Sequence, residues 1–276
     1  MTFVLPSFGS AVISAAPASG GGGGGGAWNG NTYAVQFDGT NDAMALGNLG
    51  SAGRSLGAML FWVNVTSTNG IRSNSNIGVL SNFGSGLAGF LWGFWNTNTD
   101  LMGFYTTSYR TNFNAPSAGD RLTTGYHLIG LNHNGTSYDI IIDGVTAPNA
   151  VLNSGNTGSY SNQLATSIVS GTGFDNVIMM AGNLYNHNTQ GLLDEVAIWD
   201  AGLSASNLTA IYNNGVPIDL TPYSPNGWWR MGDNDGASGT TITDQGSGGN
   251  DGTLINGPTF STNVPVFNNY SVDFDG

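Results

Sequence analysis

Short apolar runs that stop at glycine, asparagine or aspartate constrain this chain more than any single motif does. Tyr33-Ala34-Val35-Gln36-Phe37 alternates and ends at Asp38-Gly39, a turn pair. Ala58 to Val65 is a near-continuous apolar strand, and Phe90 to Trp95 and Leu101 to Thr106 read as a hairpin across Asn96 to Asp100. His127 to Asn132 and Ser137 to Ile142 form a second pair through His133-Asn134-Gly135-Thr136, and Asp143-Gly144 makes the next turn. Asn176 to Met180 and Leu192 to Trp199 complete the strands. One helix is predicted, Ser204 to Asn213, with Ser204 as N-cap and Gly215 and Pro217 beyond its end. With 44 glycines in 276 residues, the pattern predicts an all-β sandwich. A hydrophobic share of 39% is too high for a disordered chain and is enough to build a core.

Charge narrows the chemistry. The acidic residues are 16 Asp and one Glu, Glu195; the basic ones are five Arg and no Lys, for a net charge of −12. So few cations leave no electrostatic footprint for nucleic acid or an anionic membrane. The absence of Lys removes phosphate-loop and Schiff-base chemistry, and the absence of Cys removes disulfides, thiolate metal sites and thiol nucleophiles. Gly53-Arg54-Ser55-Leu56-Gly57 matches a nucleophile elbow, but a strand follows where a helix is required. Gly84-Ser85-Gly86-Leu87-Ala88-Gly89 matches a dinucleotide fingerprint and fails in the same way. His127, His133 and His187 share no metal-ligand spacing. Among the seven Trp, Trp62, Trp92 and Trp199 fall inside predicted strands. Trp95 ends a strand beside an Asn/Thr loop, and Trp228 and Trp229 are adjacent, so on a strand they point to opposite faces. Trp95 and Trp228 are the candidates for stacking on a sugar.

The ends carry their own signals. Residues 1–19 are apolar and uncharged, lack a basic signal-peptide region and are broken by Pro6 and Pro17, so no membrane span is expected. They read either as an anchor that packs on a partner or as a disordered terminus. Residues 20–32 open with seven consecutive glycines, a flexible linker. At the other end, Tyr270-Ser271-Val272-Asp273-Phe274-Asp275-Gly276 repeats Tyr33 to Gly39 at five of seven positions. The segment 218–276 therefore either closes the sandwich in its own chain or pairs with a neighbouring subunit through 270–276, which would make a homo-oligomer.

Four segments together resemble the laminin G-like, or concanavalin A-like, jelly-roll family. They are YAVQFDGTND (Tyr33 to Asp42), LFWVNV (Leu60 to Val65), GYHLIGLNHNGTSYDIIIDG (Gly125 to Gly144) and GLLDEVAIWDAGLSASNLTAIYNNG (Gly191 to Gly215). In the third, Tyr126 stands for the usual Trp and Asn134 for the usual Asp. The segment 227–276 is similar to what usually precedes the family's first strand, here displaced to the end. The resemblance spans 33–217 and implies an antiparallel jelly-roll sandwich with one short helix near 204–213. It also implies a structural calcium on Asp38, Asp42 and Asp194 with carbonyls near Gly39, which suits a hard oxygen-seeking cation. Related hydrolases need clustered glutamates, and one Glu cannot supply them, so no catalytic residue is assigned and no enzyme is expected. Lys-poor, Asn/Gly-rich sequences of this kind resemble marine bacteriophage structural proteins. The expected function is a non-enzymatic virion or surface structural protein displaying a lectin-like sandwich, with residues 1–19 gripping other virion proteins and a host glycan as a further partner. The alternative is a soluble carbohydrate-binding module of an extracellular or cell-surface adhesin or enzyme.

Overall fold

The computed structural model describes residues 30–47, 57–65, 77–83, 89–94, 101–106, 110–114, 125–134, 138–146, 151–152, 177–181 and 188–266. The anchor 1–19, the glycine run, Trp95, His187 and the repeat 270–276 lie outside them. In chain order the first strands are β1 (Ala34–Asp38), β2 (Ala43–Gly47), β3 (Ala58–Val65), β4 (Ile77–Phe83), β5 (Gly89–Phe94), β6 (Leu101–Thr106) and β7 (Arg110–Asn114). There follow β8 (His127–His133), β9 (Tyr138–Ile142), β10 (Val145–Thr146), β11 (Val151–Leu152), β12 (Val177–Met179) and β13 (Gln190–Trp199). A helix α1 (Ala205–Tyr212) precedes β14 (Gly227–Trp229), β15 (Thr241–Ile242), β16 (Gly252–Ile255) and β17 (Thr259–Ser261).

These strands form two antiparallel sheets. One runs β10-β9-β8-β3-β13-β1-β17, with β14 also on β13; the other runs β11-β7-β6-β5-β4-β12-β2-β16-β15. The chain is thus an all-β jelly-roll sandwich with one short helix. The strand period sets the core between the sheets: Met59, Phe61 and Val63 of β3, Leu193, Val196 and Ile198 of β13, and Met44 and Leu46 of β2 are all buried there.

The intervening residues of β3, Ala58, Leu60 and Trp62, face outward yet are also buried. They lie under a third layer made of α1 and residues 216–226, with Leu208, Ile211 and Leu220 packed on Trp199 and Trp228. Trp62 stacks on Tyr212 with ring centroids 5.8 Å apart. A strand buried on both faces needs an unbroken apolar run, which is what Ala58 to Val63 provides. The helix is fixed at both ends: the Ser204 hydroxyl accepts from the Asn207 N–H at 3.2 Å, and Asn213 stops it in the left-handed region at φ 44°.

The tail contributes to both sheets of its own chain. β14 pairs with β13, β16 with β2 and β17 with β1. The first strand, β1, therefore lies between β13 and a strand that comes more than 200 residues later.

Candidate functional site

The most unusual chemistry lies where one edge of β13 changes partner. Residues 190–193 of that edge pair with β1, and residues 196–198 pair with β14. Between them β13 bulges: Asp194 is opposite Trp62, but the next partner pair is Ala197 with Leu60. Glu195 is the extra residue, held at φ 43°. The bulge keeps Leu193, Val196 and Ile198 inward and puts two consecutive acids into the seam.

The end of β14 and the turn after it supply the partners. Arg230 Nε donates to Glu195 Oε1 at 3.1 Å, and Nη2 donates to Asp233 Oδ2 at 3.2 Å. The same guanidinium reaches Asn234 Oδ1 and the Gly30 carbonyl and lies 5.3 Å from the Trp228 ring centroid. Trp228 Nε1 donates to Glu195 Oε2 at 2.5 Å. Asp233 Oδ1 accepts the N–H groups of Thr32 and Tyr33, and Asn31 Nδ2 donates to Asp194 Oδ2 at 2.9 Å. Residues 30–33 enter the sheet here before β1 begins, so carboxylates take the place of a neighbouring strand as acceptors. Arg230 and Glu195 are 2% and 3% exposed, so their charges are compensated within the protein.

Three buried carboxyls, two of them paired with one guanidinium, disturb one another's titration. Burial raises Glu195 to about 7, although Arg230 and the Trp228 indole oppose it. Burial, and then the Glu195 charge, hold Asp194 well above the usual range. Asp233 is raised by burial against the pull of its N–H donors and of Arg230. Tyr126 is pushed up by burial and by the Asp194 charge.

The residues expected to share a calcium ion are split. Asp38 and Asp42 belong to one turn, where the Asp38 N–H donates to Asp42 Oδ2 at 3.0 Å and the Thr40 N–H to Asp38 Oδ1 at 2.7 Å. The Thr40 and Asn41 carbonyls accept from the side-chain amides of Asn188 and Asn256. Asp194 is four residues along β13 from Gln190, the partner of Asp38, or about 13 Å away at strand rise. Among the described residues no group of three or more His, Cys, Asp or Glu is placed to hold a metal. Asp38, Asp42 and Asp194 thus do not form one calcium shell, because the strand separates the turn from Asp194, which belongs to the seam.

Trp228 is no sugar platform: it is 4% exposed, with its ring in the outer-face layer and its N–H on Glu195. Trp229 points the other way into the core, and both are buried because that sheet is covered on both faces. His127 pairs with Asp143 at 2.9 Å on the β8–β9 hairpin. Sequence reasoning missed Arg230 as a structural centre. Its only signal was a cation in the middle of the apolar run Trp228-Trp229-Arg230-Met231.

A two-sheet antiparallel jelly roll with a sealed acid–arginine seam is the class these features define. No protein-family model and no curated protein matches the sequence. Among solved structures, a candidate carbohydrate-binding protein from Bacteroides ovatus is similar over 87% of this chain, with TM-score 0.54 and 16% identity. The chain spans 62% of that protein's length. The SAP-like pentraxin from Limulus polyphemus is similar over 66% of this chain and 82% of its own, at TM-score 0.45 and 12% identity. The CBM40 module of Ruminococcus gnavus IT-sialidase is similar over 65% of this chain and 96% of its own, at TM-score 0.43 and 14% identity. At these identities the likeness is one of fold.

Proposed function

We propose that this chain is a non-catalytic, lectin-type jelly-roll protein that binds carbohydrate. The supporting observation is the fold shared with the Bacteroides ovatus protein across 87% of the chain. The state of the one glutamate agrees with a non-catalytic reading. Glycoside hydrolysis needs two carboxyl groups flanking a substrate bond. Glu195 is instead buried between Arg230 and Trp228, where no substrate reaches it. The outer face of the eight-stranded sheet is occupied by α1 and residues 216–226, so the proposed contact surface belongs to the nine-stranded sheet and its loops, next to Trp95 in sequence.

Display on a virion or another surface through residues 1–19 is the second half of this proposal. Its support is the apolar, uncharged sequence of that segment and the glycine run after it. The test is a glycan array with the full chain and with Trp95→Ala. Specific binding that the substitution weakens supports the reading. A folded protein that binds no glycan overturns it and leaves a purely structural role.

A further inference from the structure

The chain carries two copies of its first strand, and the sandwich has one place for them. The place between β13 and β17 is taken by β1, whose buried residues are Ala34, Val35 and Phe37 and whose Gln36 and Asp38 are exposed. Residues 270–276 keep the Val, the Phe and the closing Asp-Gly. They differ at Ser271, which matches small Ala34, and at Asp273, which matches exposed Gln36. The copy therefore has the side-chain pattern of a strand that β17 accepts. It cannot take the slot of β1, which is fastened at one end by Asp233, Arg230 and Asp194 and at the other by the Asp38–Asp42 turn.

β17 has a second edge. It ends its sheet, and no strand among the described residues pairs with its outer side. The edge is short, three residues after Pro258, but Thr259, Phe260 and Ser261 themselves bear no charge and no proline. Residues 262–266 do not turn back along that edge. The Tyr126 hydroxyl donates to the Asn263 carbonyl at 2.6 Å, and Tyr126 precedes β8, four strands inward from β17. Tyr126 packs on the outer-face layer, so two residues after β17 the chain lies over that face, inward of the edge. Pro265 is buried there.

We propose that residues 270–276 of one copy add to the outer edge of β17 in a second copy as an antiparallel strand. The main-chain groups of the edge supply the bonds, and the alternation of Val272 and Phe274 sets which face the added strand turns inward. By analogy with β1, Asp273 comes opposite Thr259. The chain has no cysteine, so engineered thiols report this contact cleanly. One full-length chain carries Asp273→Cys and another carries Thr259→Cys. They are mixed and treated with a short bismaleimide. The expected result is a cross-linked pair of chains, lost when Phe274→Asp is added to the first. No cross-linked pair, with both thiols labelled by a simple maleimide and both chains melting as the parent does, overturns the proposal. So does a pair that survives Phe274→Asp, and so does cross-linking confined to a chain that carries both cysteines.

Discussion

Removing the guanidinium from the seam tests the reading of the β13 bulge most directly. In Arg230→Met the side chain keeps an apolar stem of similar length but loses its bonds to Glu195, Asp233, Asn234 and the Gly30 carbonyl. Glu195 and Asp233 are then buried beside Asp194 with no cation. Breaking a buried pair by deleting one partner costs about 3–5 kcal/mol, against about 0–1 kcal/mol for a surface pair. The burial of both partners puts Arg230 in the first class. The assay is urea unfolding followed by tryptophan fluorescence, at pH 7.5 and at pH 5. At pH 7.5 the variant should lose a stability of that order. At pH 5 the deficit should shrink, since carboxyls already raised by burial take up protons and no longer need the cation. A deficit near that of a surface pair, or one equal at both pH values, would refute the argument that the seam is a sealed ionic cluster.

Three further outcomes follow from the same geometry. Glu195 is held near 7 in the fold against 4.5 in the open chain. Between those values the folded state keeps a proton that the unfolded state has released. Its contribution is therefore fully present below pH 4.5 and falls by about 3 kcal/mol as pH rises to 7. Glu195→Gln should flatten the stability–pH curve in that window by one proton; an unchanged slope counts against the assignment. Gly130→Ala should destabilise the fold by about 3 kcal/mol, because a Cβ there stands 2.1 Å from the Met59 carbonyl oxygen on the neighbouring strand; a melting temperature within a degree or so of the parent would contradict that packing. Because Asp38 and Asp42 are separated from Asp194, adding calcium or EDTA should leave the melting temperature unchanged. A calcium-dependent rise would mean that the turn gathers ligands other than Asp194.

Much of the architecture was legible in local patterns, for identifiable reasons. The apolar run of β3, the alternation of β1 and the Ser204 cap each depend on neighbours in sequence, and their bounds fall within a residue or two of expectation. The two-residue to four-residue strands of the tail were not recognised individually. Segments such as Thr241–Ile242 and Thr259–Ser261 are too short to show a period and become strands only because β16 and β1 are beside them. Trp228 illustrates a different failure. The rule that adjacent strand residues face opposite ways held, but the inference that one face is open did not, because α1 covers it.

The sequence by itself determined the class of fold, the positions of the main turns, the helix and its cap, and the poverty of catalytic groups. All of these follow from composition and from periods shorter than ten residues. Tertiary structure alone decided what the charged residues are for. Asp194 and Glu195 look like any surface-strand acids until a bulge turns them into a seam, and Arg230 becomes the counter-ion of Glu195 only because β14 pairs with β13 where β1 leaves off. Burial and long-range pairing set the energy of a charge, and neither is written in the residues that flank it.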